Sequence, residues 1–195
     1  MRVLLLKIWP LCLIAGAAAI GVYFGETFIQ QFAFHKSLAF HFPFYQLITG
    51  HLSHANLNHY LLNMGGLIAI VALFYEYVNA KNQCVLFVAG TLSISIAMYW
   101  LYPKEIYVGL SAYLHFLFAW AVIQDLQTKR ISTYLLMSGL IAKVVYELGF
   151  YQPGSTEALI QMDVATETHA IGAFCGAVAG IIHIWIRRKK SASST

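Results

Sequence analysis

Residues 169–190 read His-Ala-Ile-Gly-Ala-Phe-Cys-Gly-Ala-Val-Ala-Gly-Ile-Ile-His-Ile-Trp-Ile-Arg-Arg-Lys-Lys. An uncharged run ends abruptly in four basic residues. A membrane-spanning helix needs roughly 20 predominantly apolar residues, and a basic cluster at its end is most simply a stop-transfer anchor facing anionic lipid. Gly172, Gly176 and Gly180 recur at every fourth position, which makes a smooth stripe along which a second helix can approach closely. Such stripes are common in membrane helices, so this one alone says only that the helix packs. The whole chain has the same character. It has 195 residues, of which 59% are hydrophobic and 10% charged, where a soluble domain is roughly one-quarter charged. An ordinary soluble enzyme, a disordered chain and a nucleic-acid module are poor fits. The composition predicts an all-α polytopic membrane protein with one domain over residues 1–190 and a short polar tail at 191–195.

Six apolar runs are legible, at about 8–24, 57–78, 85–102, 110–123, 131–148 and 169–186. Arg2, Lys7, Lys81, Lys129, Arg130, Arg187, Arg188, Lys189 and Lys190 fall on one set of alternating ends. Only Lys36 and Lys104 fall on the other, and Lys143 lies within the fifth run. The positive-inside rule then predicts six transmembrane helices with the N-terminus and C-terminus cytoplasmic. The first run follows Arg2 and Lys7 as in a signal peptide, but it is long for one and no polar mature domain follows. The loop at 25–56 is rich in Phe (Phe32, Phe34, Phe40, Phe42, Phe44) and suits the membrane interface. The loop at 149–168 carries Glu157, Asp163 and Glu167 with no Lys or Arg, and reads as mobile and solvated. Cys12, Cys84 and Cys175 lie in or beside apolar runs and read as small hydrophobes, not as a disulfide framework.

Polar side chains inside spans are costly and mark functional candidates. The second span opens with His51, His54, Asn56, Asn58, His59 and Asn63. His59 and Asn63 are four apart and share a helical face. A polar helix start in the interface accounts for them equally well. Zinc sites also use such spacings, but no acidic residue lies close by to orient the ligands, so neither a metal nor another cofactor is predicted. Gly109-Leu110-Ser111-Ala112 opens the fourth span. A Ser there is commonly an N-cap. His115, four residues on, shares the face of Ser111. His169 starts the sixth span on its glycine face.

The combination is more specific than any part. Spans two, four and six run in the same direction, so Asn63, Ser111 and His169 sit at one shallow depth on the outer side. If the glycine stripe packs on span four, His169 comes within reach of Ser111. A hydroxyl becomes a nucleophile when a base takes its proton, and neutral imidazole is the usual base. The oxyanion needs donors, which the Ser111 N–H, Asn63 and His59 offer. Carboxylates are scarce at this depth, so the arrangement reads as a Ser–His dyad oriented by helix packing. Lys143 and Glu147 read as a local pair four residues apart.

These residues resemble the rhomboid family of intramembrane serine proteases. His54-x4-His59-x3-Asn63 is similar to the His/Asn motif of its second helix, Gly109-Leu110-Ser111 to its Gly-x-Ser motif, and His169-x2-Gly172-x3-Gly176 to its His-Gly-Gly motif. The resemblance covers about residues 45–186. It implies a six-helix rhomboid-like bundle with Ser111 as nucleophile, His169 as base, and His59, Asn63 and the Ser111 N–H as the oxyanion hole. It also implies a mobile cap in the fifth loop and a lateral gate in span five. Within the family, residues 46–54 and His115 resemble the rhombosortase branch. That branch implies His115 supporting the His169 ring, and substrates that are transmembrane proteins carrying a C-terminal Gly-Gly sorting tail. It implies a bacterial inner-membrane location with the site toward the periplasm. Ala112 replaces a family Gly, Phe116 a small residue, and Tyr45-Gln46 a Trp-Arg pair. These departures put close packing of span four and anchoring of the first loop in question. The two beside Ser111, Ala112 and Phe116, also motivate an alternative, a pseudoprotease that binds membrane clients without cutting them. A metal or solute transporter is a third reading, disfavoured because no path of ionisable groups crosses the membrane. Membrane lipid is the other expected partner. The sequence is silent on oligomeric state.

Overall fold

The computed structural model describes residues 2–41 and 44–193, with side chains from Lys7 onward. Phe42, the last two residues of the tail and the side chain of Arg2 lie outside the described residues. The order of elements is α1 (Arg2–Phe24), α2 (Glu26–Phe32), β1 (Phe34–His35), α3 (Gln46–Thr49), α4 (Leu57–Leu73), α5 (Ala80–Leu101), β2 (Ile106–Tyr107), α6 (Ser111–Asp125), α7 (Ile131–Gly149), α8 (Ser155–Ile160) and α9 (Thr166–Ala192). Asn56 and Asn79 start α4 and α5: each side-chain oxygen accepts a backbone N–H three residues on, at 2.9 Å, which satisfies an otherwise orphaned donor.

The protein is an integral membrane protein by its helices. α1, α5, α7 and α9 are long and apolar enough to cross a bilayer. α4 and α6 overlie the second and fourth apolar runs but have only 17 and 15 residues. At 1.5 Å per residue α6 is about 22 Å long, shorter than a hydrocarbon core. It lies at the centre, and most of its residues are buried, among them Tyr113, Phe116, Leu117 and Trp120.

α6 packs along α9, and the glycine stripe is the reason. A Cβ on Gly172 would stand 2.0 Å from the Ala112 carbonyl oxygen, and one on Gly176 would stand 2.1 Å from that of Phe116. Backbone lies directly on backbone. Phe116 fits because its ring points elsewhere, onto Gly90 of α5, where a Cβ would come within 2.9 Å of the ring. The small residue that Phe116 calls for is therefore on another helix, out of reach of a local reading.

The first loop is folded. β1 pairs antiparallel with β2, Phe34 opposite Tyr107. The Gln46 amide donates to the Gln31 carbonyl at 2.9 Å, and Thr49 Oγ1 donates to that of Phe32 at 2.8 Å. Gln46 thus anchors the loop without the Arg of the family pattern. Phe34 is buried while Phe40 and Phe44 are exposed. The fifth loop, expected to be solvated, contains α8, and buries Ile160. Asn56 and Asn58 donate to the Leu159 carbonyl at 3.3 and 3.2 Å, and Lys104 pairs with Asp163 at 2.8 Å. The three cysteines are free thiols.

His51 is structural. It is fully buried and donates from Nε2 to Ser95 Oγ at 3.1 Å, and that hydroxyl donates to the Leu47 carbonyl at 2.7 Å. Burial lowers its pKa to about 3, so the folded protein holds it neutral. Below pH 6.5 the unfolded chain binds a proton that the folded chain refuses, and stability falls between pH 6.5 and 3. Thermal unfolding at pH 7 and pH 5 should show a smaller loss of Tm in His51→Gln than in the wild type. An equal loss would assign the pH dependence to other groups.

Candidate active site

α4, α6 and α9 begin at one end of the bundle, and α5 and α7 end there. Between them is a cavity of about 230 Å³ lined by His59, Asn63, Tyr107, Ser111, His115 and His169, with Ile160 and Asp163 of the fifth loop at its mouth. Ser111 is the first residue of α6, and His169 lies in the first turn of α9. The contact at Gly172 brings them together: Ser111 Oγ lies 3.0 Å from His169 Nε2. The His115 ring stacks on His169 at 4.2 Å between centroids and 14° between planes. His115 Nδ1–H donates to the Ser111 carbonyl at 2.8 Å, so one histidine braces both.

The Gly109 turn aims Ser111. Gly109 has φ +122°, and a Cβ there would lie 2.7 Å from His59 Cε1 and Nε2. Only glycine meets both demands. Its N–H donates to the Gly50 carbonyl at 3.1 Å. Tyr107 completes the brace, its hydroxyl donating to the Gly109 carbonyl at 2.5 Å and accepting the Ala112 N–H at 3.2 Å. Burial raises the Tyr107 pKa, so the phenol keeps its proton. Gly109→Ala should slow labelling of Ser111 by a fluorophosphonate at least about tenfold, since strain of roughly 1–3 kcal/mol and the displaced His59 both act on the turn. A wild-type labelling rate would remove the steric argument.

Asn63 and His59 are buried on the cavity wall. Asn63 Nδ2 donates one hydrogen to the His59 carbonyl at 3.0 Å, which leaves its second hydrogen for the cavity. His59 Nδ1 accepts the Ala55 N–H at 3.4 Å, which leaves Nε2–H facing Gly109. His54 stands behind, edge-on to His59 at 5.0 Å, with Nδ1–H on the Leu52 carbonyl at 3.0 Å. Its pKa is lowered to about 4, chiefly by burial and then by His59, so it is a neutral prop. Gly172 and Gly176 act through packing.

Two residues beside these were not singled out for the site by the sequence. Tyr107 carried no local signal. Glu147, from the outer end of α7, places its two carboxylate oxygens 3.0 and 2.9 Å from His169 Nδ1. The expectation of an imidazole without an acidic partner is thereby corrected. The Lys143–Glu147 pair exists, at 2.5 Å, but the same carboxylate also reaches across to α9. The depth argument followed only the spans that start on the outer side and passed over one that ends there. His115, Glu147 and His169 are also the one group among the described residues whose ligand atoms could gather on a metal ion. Every one of their donor atoms but His115 Nε2 is engaged in the bonds just given, and the Lys143 ammonium on Glu147 opposes a second cation. The cluster reads as a hydrogen-bond network.

A serine hydroxyl within hydrogen-bond reach of an imidazole, beside N–H donors and in a bundle whose long helices can cross a membrane, has the groups that acyl transfer uses. No curated protein matches the chain. A family model described as Rhomboid domain matches residues 41–187. The match takes in every cavity residue named above, and the chain belongs to the rhomboid family, whose members are generally intramembrane serine proteases.

Proposed function

We propose that this protein is an intramembrane serine endopeptidase that cuts membrane-anchored proteins near the outer face of a bacterial inner membrane. The observation that carries the reading is the 3.0 Å contact of Ser111 Oγ with His169 Nε2. In this reading Ser111 attacks the substrate carbonyl carbon as His169 Nε2 takes the hydroxyl proton. The tetrahedral oxyanion forms beside the Ser111 N–H, the Asn63 amide and His59 Nε2–H, donors in place before charge develops. The C–N bond then breaks, and the amine leaves with the proton held by His169. Water, deprotonated by the same imidazole, hydrolyses the acyl-enzyme.

The topology proposed is six spans with both termini cytoplasmic. It is supported by the nine basic residues on the ends away from the cavity, against two on the cavity side. The substrate proposed is a protein with a C-terminal Gly-Gly sorting tail. Such a tail unwinds readily at the cut site, which suits a nucleophile that must meet an extended backbone. Cells carrying wild-type protein or Ser111→Ala should differ in the C-termini of secreted proteins. New termini after Gly-Gly-type tails are expected only with the wild type, and identical C-terminal profiles would reject the substrate class. The non-cutting alternative rested on Ala112 and Phe116, and both are accommodated in the α6 packing. It predicts no labelling of Ser111 by a serine-reactive probe.

A further inference from the structure

The fully buried residues of α7 lie near its two ends, with Leu136 and Met137 between them partly buried against the core. These buried residues are Thr133 and Glu147. They are 14 positions apart, nearly four turns and about 21 Å along one face. Between them Leu136, Met137, Leu140 and Val144 are only half-buried. Both buried residues are polar, and both bond to a neighbouring helix. Thr133 Oγ1 donates to the Asp125 carboxylate at the end of α6. Glu147 accepts from His169 Nδ1 at the start of α9. The side of α7 that faces α4 borders an apolar groove of about 400 Å³, lined by Gly66, Ile70, Leu135, Gly139 and Lys143. The groove leaves α7 little apolar packing on α4.

We infer that Glu147 is the positioning residue of the His169 imidazole. The inference rests on the serine-protease reading above. A carboxylate on Nδ1–H selects the tautomer whose Nε2 lone pair faces the Ser111 hydroxyl. It also stabilises the imidazolium formed as that hydroxyl is deprotonated. Lys143 pairs with the same carboxylate at 2.5 Å, in a setting where a lone carboxylate is expensive. The proton stays on Nδ1 throughout, and Glu147 neither gains nor loses one.

The test separates positioning from anchoring, because α7 has two polar ties and only one touches the site. In purified protein, Glu147→Gln should lower kcat on a Gly-Gly-tail reporter by about 10²-fold or more with KM within about threefold, the pattern of an interaction realised in the transition state. Glu147→Asp should recover part of the loss. Thr133→Val should lower Tm, with kcat within about threefold of wild type. ¹⁵N-histidine spectra should show His169 as the Nδ1–H tautomer in the wild type and a changed tautomer in Glu147→Gln. Wild-type kcat in Glu147→Gln would overturn the inference. So would equal kcat losses in Glu147→Gln and Thr133→Val, tracking their losses of Tm, which would reduce Glu147 to an anchor. Failure of the protease reading itself looks different: Ser111 would go unlabelled in the wild type, while the spectra still report whether Glu147 sets the tautomer.

Discussion

Ser111→Ala will abolish cleavage of a tagged membrane substrate and all labelling by a fluorophosphonate, and leave the fold intact. The substitution removes one oxygen. The bond that oxygen makes with His169 is a single neutral hydrogen bond at 3.0 Å, whose loss costs about 1 kcal/mol of stability. Gly109, Tyr107 and His115 hold the turn through backbone groups that alanine keeps. Without a nucleophile the covalent route is closed, and donors alone leave only a small residue of catalysis. The rate should fall by about 10⁴-fold or more. The measurements are steady-state cleavage, probe labelling and thermal unfolding in the same detergent. Cleavage at the wild-type rate with Ser111 absent would end the serine mechanism. Loss of both cleavage and fold would leave His169→Ala, which also removes the base, to decide it by labelling.

The second large effect lies outside the chemistry. Gly172→Ala puts a methyl group 2.0 Å from the Ala112 carbonyl oxygen. Neither partner is a side chain that can rotate away, so α9 must move off α6 by about 1 Å or more to reach ordinary contact. Overpacking of this kind costs roughly 1–3 kcal/mol. The site is more sensitive still, because the clash falls one residue after Ser111 and three after His169. A displacement of about 1 Å at such a pair costs on the order of 10²-fold in rate. Gly180→Ala is the comparison. Its Cβ meets the Ile123 side chain at 2.8 Å, two turns further from the cavity. It should lose Tm but keep most of its activity. If Gly172→Ala keeps wild-type Tm and rate, the helices do not lie as close as the structure has them.

Legibility in the sequence followed the range of the interaction. The glycine stripe and the spacing of His59 to Asn63 are facts of one helix, and a periodicity reading reaches them. The ends of α4 and α6 were less legible, because apolar runs continue where the backbone does not: Phe74, with φ −120° and ψ 30°, ends α4 although Tyr75, Tyr77 and Val78 carry the run on around Glu76. The fifth loop looked solvated because its charges are visible in the sequence, whereas the burial of Ile160 depends on α4 lying beneath it. His51 stands beside His54 among the polar residues at the entry to the second span, and nothing local tells that its ring turns to Ser95 of α5.

What the sequence determined by itself is the class of molecule and the identity of the principal groups. Hydropathy and charge forbid a soluble globule, and the glycine stripe states which face of the last helix must be covered. Those are one-body properties, summed along the chain. What only the tertiary structure decided is which groups meet. Phe116 is tolerated because Gly90 stands opposite, Gly109 is obligatory because His59 leans on it, and the imidazole has a carboxylate because the end of α7 reaches the start of α9. Each is a contact between distant segments, set by how helices stack. Helical periodicity assigns a residue to a face of its own helix and does not say what that face touches.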